Sequence, residues 1–201
     1  QLLADAPEGF LPADRFLSVA EQFCAGLAYA HEEGVVHRDI KPANIMLRIE
    51  ETAPEKDSSV LPLEDTTCRN FMPVLTDFGV AKSYRDPSGL GATVAQMRTG
   101  LIGTPSFMAP EQIRESEVGP PADVFSLGSL TYTMATGRLP FYGTSDVVET
   151  LRRIVDVEYT PIDELQPGIS HTLVSLIEGC LQSEVDDRLT MQEVADRCLR
   201  V

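Results

Sequence analysis

The sequence is short of positive charge. It carries 16 lysines and arginines against 31 aspartates and glutamates, a formal net charge of -15. A surface this acidic repels nucleic-acid phosphates and anionic membranes, so neither is expected as a partner. Any site for an anion must then be a local cationic spot or a bound metal ion. Cysteine is also scarce: Cys24, Cys68, Cys180 and Cys198 are scattered, with no CxxC pair. That spacing argues against a disulfide framework or a zinc site, and a cytoplasmic, reducing location fits it best. Three of the four fall in apolar helical patterns, where a buried free thiol is expected. No run approaches the roughly 20 apolar residues that span a bilayer, and no signal peptide is visible. The chain opens on Gln1 instead of methionine, so it reads as a piece of something longer.

What is present suits a globular domain. The chain has 201 residues, 43% of them hydrophobic, enough for one domain with its own core. Across residues 14–33, Phe16, Leu17, Ala20, Phe23, Cys24, Leu27 and Ala28 recur at helical spacing, and Gly34 follows as a stop. Val35-Val36 and Ile45-Met46-Leu47 read as short buried strands, and Val74-Leu75 is a third apolar run. Residues 50–70, acidic and rich in Ser, Thr and Pro, read as a flexible insertion, and 85–104 as a Gly-containing loop. A helix is predicted from about Ala122 to Thr136, closed by Gly137 and apolar in several directions, hence central. Amphipathic helices are predicted near 146–155, 171–181 and 191–199, the last with a capping box from Thr190 and Glu193. His31 and His171 read as surface or helix-cap residues. The fold class is mainly α within an α+β arrangement, with polar loops gathered beside a small strand cluster.

Those loops concentrate the chemistry. His37, Arg38, Asp39, Lys41 and Asn44 crowd the stretch "VVHRDIKPANIM", and Asp77 follows the third apolar run. Alone, such a cluster is usually a solvated turn. If the strands flanking it pair, Asn44 and Asp77 converge and can offer oxygen ligands to one hard cation such as magnesium. Asp39 would then be free to accept a proton from an incoming hydroxyl, and Lys41 could steady a phosphoryl group in flight.

His37-Arg38-Asp39-Ile40-Lys41-Pro42-Ala43-Asn44 resembles the catalytic loop of eukaryotic-type (Hanks-type) protein kinases. Asp77-Phe78-Gly79 resembles their metal-binding motif, and Ala109-Pro110-Glu111 the end of their activation segment, here 77–111. Lys41-Pro42 and the run from Gly103 to Met108 are similar to the serine/threonine branch, and "GVVHRDIKPANIM" has a bacterial flavour. The resemblance covers nearly the whole chain and implies the C-terminal large lobe of a protein-kinase-like fold over 1–201. It implies ATP and Mg2+ (or Mn2+) as cofactors, protein substrates as partners, and a kinase homodimer as an option for the full protein. By the same resemblance Asp39 is the base, Lys41 the phosphate-steadying lysine, Asn44 and Asp77 the metal ligands, and Met46 a residue beneath adenine. Arg38 would face a phosphorylated loop, with Thr93 and Thr99 as phosphate carriers, and Thr104 would line the substrate groove. His37, Phe78 and Asp123 would form the internal scaffold, and Glu111 and Arg188 an ion pair.

The Gly-rich loop, the strand lysine and the helix glutamate of the family's small lobe are not found in this stretch, which alone is expected to be nearly inactive. The insertion between Asn44 and Asp77 is longer than the family usually has there. Two other classes stay open. One is a pseudokinase or lone-lobe scaffold that holds partners without chemistry. The other is a small-molecule kinase of the aminoglycoside-phosphotransferase type, against which the Ala-Pro-Glu and Gly-Thr-Pro runs argue.

Overall fold

The computed structural model describes residues 13–49, 71–77, 105–114, 116–142 and 146–198. Phe78, Thr93, Thr99 and Thr104 lie outside these residues, as do Cys68 and the segment 50–70. Helix α1 (Ala13–Glu32) leads into a charged loop and a single 3-10 turn (Pro42–Asn44). Two strands, β1 (Ile45–Ile49) and β2 (Phe71–Leu75), pair antiparallel from Ile45↔Leu75 to Ile49↔Phe71. The pairing is thus continuous up to the two residues that bracket the acidic segment. Next come α2 (Pro110–Ile113), α3 (Pro120–Thr136), α4 (Val147–Val155), α5 (Ile162–Leu165), α6 (His171–Cys180) and α7 (Met191–Cys198). The expected helical lobe with a small strand cluster is what forms. Val35-Val36 differs from expectation: Val35 makes one isolated β-bridge, because the chain turns straight into the charged loop and offers no ladder beyond it.

Helix α3 is the axis of the core. From Ala122 to Thr133 every residue is buried, so no polar stripe exists to mark a solvent face. Four of its buried hydroxyls are satisfied within the helix: Ser126, Thr131, Thr133 and Thr136 each donate to the carbonyl four residues earlier, while that of Ser129 has no partner among the described residues. The helix begins at Pro120, earlier than the sequence suggested, because proline tolerates the first helical turn, where its missing N–H has no partner to lose. Gly137 closes it in the left-handed conformation at φ 67°. Phe125 stacks on Phe141 with ring centroids 5.7 Å apart, and Tyr159 meets both Tyr132 and Phe141 edge-on.

Helices α1 and α7 pack together and close one side of this core. Cys24, Cys180 and Cys198 are buried free thiols there. Burial pushes the Cys180 thiol up to about 12, and a hydrogen bond to Cys198, with burial second, raises Cys24 well above the usual range. The capping box of α7 is present, with Thr190 N–H donating to Glu193 Oε2 at 2.8 Å and Glu193 N–H to Thr190 Oγ1 at 3.2 Å. Among the described residues no helix is long and apolar enough to cross a membrane.

One helix contact is made through a missing side chain. A Cβ on Gly128 of α3 would lie 2.6 Å from Cys180 Cβ and 3.1 Å from Leu181 Cδ2. Cβ of Cys180 cannot swing aside, so α3 and α6 would have to part. Gly128→Ala is therefore expected to destabilise the fold by about 1–3 kcal/mol despite alanine's better helix propensity. A thermal-unfolding midpoint equal to or above that of the parent would contradict this packing.

Candidate active site

The site is built from the end of α1. Gly34, at φ 77°, ends the helix: its N–H donates to His31 O at 3.0 Å and Val35 N–H to Ala30 O at 2.8 Å. Glycine is needed here for the left-handed residue of this Schellman-type stop. The reversal sends Val36 and His37 inward under α3. There the carboxylate of Asp123, wholly buried, accepts the N–H of His37 at 2.8 Å and of Arg38 at 2.7 Å, one on each oxygen. Arg38 sits at φ 67°, a conformation costly for a residue with a Cβ, and it persists because its surroundings fix it. Its carbonyl accepts from Gln112 Nε2 at 2.9 Å, and its Nη2 donates to Val118 O at 3.2 Å.

His37 ties the loop to the strand end. Its Nδ1 accepts from Asp39 N–H at 3.3 Å while Nε2 lies 3.1 Å from Thr76 O. Both bonds are satisfied when Nε2 carries the proton and Nδ1 is bare. Thr76 donates its N–H and its hydroxyl to Asn44 O, at 2.8 and 3.1 Å. Asp77 follows at once, exposed and at φ 63°. The pairing of Asn44 with Thr76 thus sets Asp77 beside the end of the 3-10 turn.

Asp39 is half-exposed and its contacts are one-sided. Lys41 Nζ reaches Oδ2 at 2.7 Å, and Asn44 Nδ2 reaches Oδ2 at 3.0 Å and the Asp39 carbonyl at 2.8 Å. Oδ2 is therefore occupied, and among the described residues Oδ1 is the oxygen left for another partner. With its amide nitrogen committed to Asp39, Asn44 turns its carbonyl oxygen away from that residue. The Asn44 amide oxygen and the Asp77 carboxylate, on the two segments that Thr76 joins to Asn44, are hard-oxygen donors of the kind that suits a cation keeping much of its water and taking phosphate. Among the described residues no group of three or more His, Cys, Asp or Glu could form an all-protein metal cage.

Met46, on β1 opposite Val74, is exposed and leaves an apolar surface beside this donor set. Arg38 is buried, and its Nε has no hydrogen-bond partner among the described residues. Arg188 and Glu111 meet in a two-bond pair of 2.7 and 3.1 Å. Arg188 also donates to Pro121 O and Gln182 O and lies 5.0 Å from the Phe125 ring centre. The pair is buried at 0% and 5% side-chain exposure, and it anchors α2 to the turn after α6.

Sequence reasoning missed three residues of this framework. His31 is corrected from a surface or cap residue: its side chain is 9% exposed and Nε2 lies 2.9 Å from Asp123 Oδ2. The signal was there, since Cys24, Leu27, Ala28 and His31 follow the i, i+3, i+4, i+7 stripe that faces inward. Gln112 and Thr76 gave no such signal, because their partners are backbone carbonyls of distant segments.

Residues 2–198 match the family described as the protein kinase domain. A calcium/calmodulin-dependent protein kinase type I of Schizosaccharomyces pombe is 32% identical over 166 residues, 83% of this chain and 42% of that protein. A serine/threonine-protein kinase of Corynebacterium efficiens, drp72, is 38% identical over 73% of this chain and 23% of its own length. PknB of Mycobacterium leprae is 29% identical over 96% of this chain and 27% of its own length. The chain thus spans less than half of each of these relatives. A solved structure of the Rad53 kinase domain with SCD2 in complex with AMPPNP superposes at TM-score 0.68 with 24% identity, covering 98% of this chain and 63% of that one. That likeness is one of fold.

The Glu111–Arg188 pair gives a direct test of the framework. Removing one partner of a buried pair strands the other charge, so Glu111→Gln is expected to destabilise by about 3–5 kcal/mol. Glu184→Ala, at an exposed carboxylate 3.9 Å from Arg114, should leave the unfolding midpoint unchanged. Equal midpoints for the two variants in thermal denaturation would refute the distinction.

Proposed function

The chain belongs to the protein kinase family, and on that premise we propose that the protein carrying it transfers the γ-phosphoryl group of ATP to serine or threonine hydroxyls of proteins. The observation that carries this reading is the environment of Asp39. Its loop is fixed from beneath by Asp123, its Oδ2 is taken by Lys41 and Asn44, and among the described residues its Oδ1 is left open. A Ser or Thr hydroxyl approaching Asp39 gives its proton to Oδ1 as its oxygen bonds to phosphorus, and the bond from phosphorus to the bridging oxygen breaks in line. Lys41 supplies positive charge beside the base, where the transferring group must pass. Asn44 orients the base through its amide nitrogen and, through its oxygen, joins Asp77 as a ligand for Mg2+ or Mn2+. When bound, that ion draws together and neutralises phosphate oxygens. Met46 offers an apolar surface for the adenine ring.

Arg38 gives the proposal its regulatory half. A buried guanidinium whose Nε has no partner among the described residues is suited to bind a phosphate carried by Thr93 or Thr99, which would order the intervening segment by charge-assisted hydrogen bonds.

The experiment is phosphate transfer by the full-length protein with labelled ATP and a generic protein substrate. Asp39→Asn should lower the rate by about a hundredfold or more, since a positioned base contributes that much. Asp77→Asn should lower it too, and should also raise the Mg2+ concentration needed for half-maximal rate, which Asp39→Asn should not. Transfer unchanged in both variants sinks the assignment. No transfer by the parent protein under any metal favours a binding scaffold.

A further inference from the structure

Gln112 ties two parts of the site together. It is 3% exposed and is the third residue of α2. Its Oε1 accepts the N–H of Ala109 at 2.8 Å, and its Nε2 donates to the carbonyl of Arg38 at 2.9 Å. The first bond is a helix cap, and a cap explains only half of the side chain. Glutamate would cap as well, and the helix dipole would favour its charge at this position. What only the neutral amide adds is a donor aimed at Arg38.

Arg38 is the residue whose backbone most needs holding. It occupies the left-handed region at φ 67°, immediately before Asp39. Asp123 grips the N–H on one side of this strained residue, and Gln112 grips the C=O on the other. The carbonyl of Arg38 belongs to the same peptide unit as the N–H of Asp39, which points to His37 Nδ1. Rotation of that peptide plane would swing the Asp39 side chain away from Lys41 and Asn44.

We infer that Gln112 is a positioning residue for Asp39: it locks the Arg38–Asp39 peptide and so makes the geometry of the base depend on the seating of α2. The inference rests on the kinase reading of Asp39. The short helix that bears Gln112 is held from its other side by the buried Glu111–Arg188 pair. Displacement of α2 therefore withdraws the donor from Arg38 and loosens Asp39 without any change in the loop's own sequence.

Two variants of the full-length protein separate this role from capping. Gln112→Glu keeps the cap but, when ionised, presents no donor to Arg38. Its kcat at pH 8 should fall about tenfold, the effect of losing one buried hydrogen bond that positions the base, with KM for ATP unchanged. Burial raises a carboxyl pKa, and the introduced carboxyl, once protonated, can donate again. The kcat of Gln112→Glu relative to the parent should therefore recover as pH falls from 8 to 6. Gln112→Leu loses both bonds, and its deficit should be the same at both pH values. Circular dichroism at each pH gives the folded fraction, and rates are taken per folded molecule. A kcat for Gln112→Glu within about twofold of the parent at pH 8, or a deficit unchanged at pH 6, overturns the inference. Parent transfer abolished by Asp39→Asn shows that the kinase reading stands in either case, and an inactive parent fails that reading instead.

Discussion

The carboxylate of Asp123 is the contact on which the rest of the site depends. A carboxylate with no solvent exposure is tolerated only when its oxygens are fully used. Here they are met by the N–H groups of His37 and Arg38 and by His31 Nε2. The backbone of His37 turns its own N–H and that of Arg38 toward this one carboxylate, and the positive φ of Arg38 then redirects the chain toward Asp39. The polar anchor thus fixes the N–H side of the strained residue. The anchor sits on α3, buried along most of its length, so the loop inherits the rigidity of the core and not the looseness of a surface turn.

Strain recurs at the other arm of the site. Asp77, like Arg38, is a non-glycine residue at positive φ, and the two belong to the two chain segments that Thr76 links through Asn44 and His37. Each is held by its neighbours. Thr76 makes two bonds to Asn44 O and accepts one from His37, so the strand end cannot relax without breaking contacts to the loop. A strained residue fixed this way can keep a side chain where an unstrained turn would not put it. Asp39, whose own exposure is substantial, is precise because of what lies behind it.

Much of this was legible in the residues. The helical stripe of α1 and the capping box of α7 follow from spacing, and the central position of α3 follows from its lack of a polar face. The charged loop and Asp77 were recognisable because their residue types are unusual for a turn and occur in a family's order. What spacing could not reveal was the pairing of side chains with distant backbone. Gln112 is one more polar residue after Glu111 until α2 is seen against the loop. His31 is misread when residue type takes precedence over periodicity, although its place on the apolar stripe already puts it inside. The short helices α2 and α5, of four residues each, are too brief to show a period.

Charge balance explains why the site is arranged around so few cations. Acids outnumber bases by 31 to 16, and among the described residues the bases near the surface are largely claimed. Arg152 alone is shared by Glu149, Asp156 and Glu158, and hydrogen bonds from Arg152 and Arg153 hold the Glu149 carboxyl down at about 2. Arg188 is spent inside the core on Glu111. Among the described residues the loop is where cations gather around Asp39, with Lys41 paired to it and Arg38 buried behind it. On the proposed reading, a divalent ion would bring positive charge that Lys41, already paired with Asp39, does not supply alone. The donor set of Asn44 and Asp77 suits that division of labour, since two hard-oxygen ligands leave an ion most of its positive field for phosphate. An acidic surface weakens competing anion binding, which on the proposed reading favours the loop of Asp39 among the described residues.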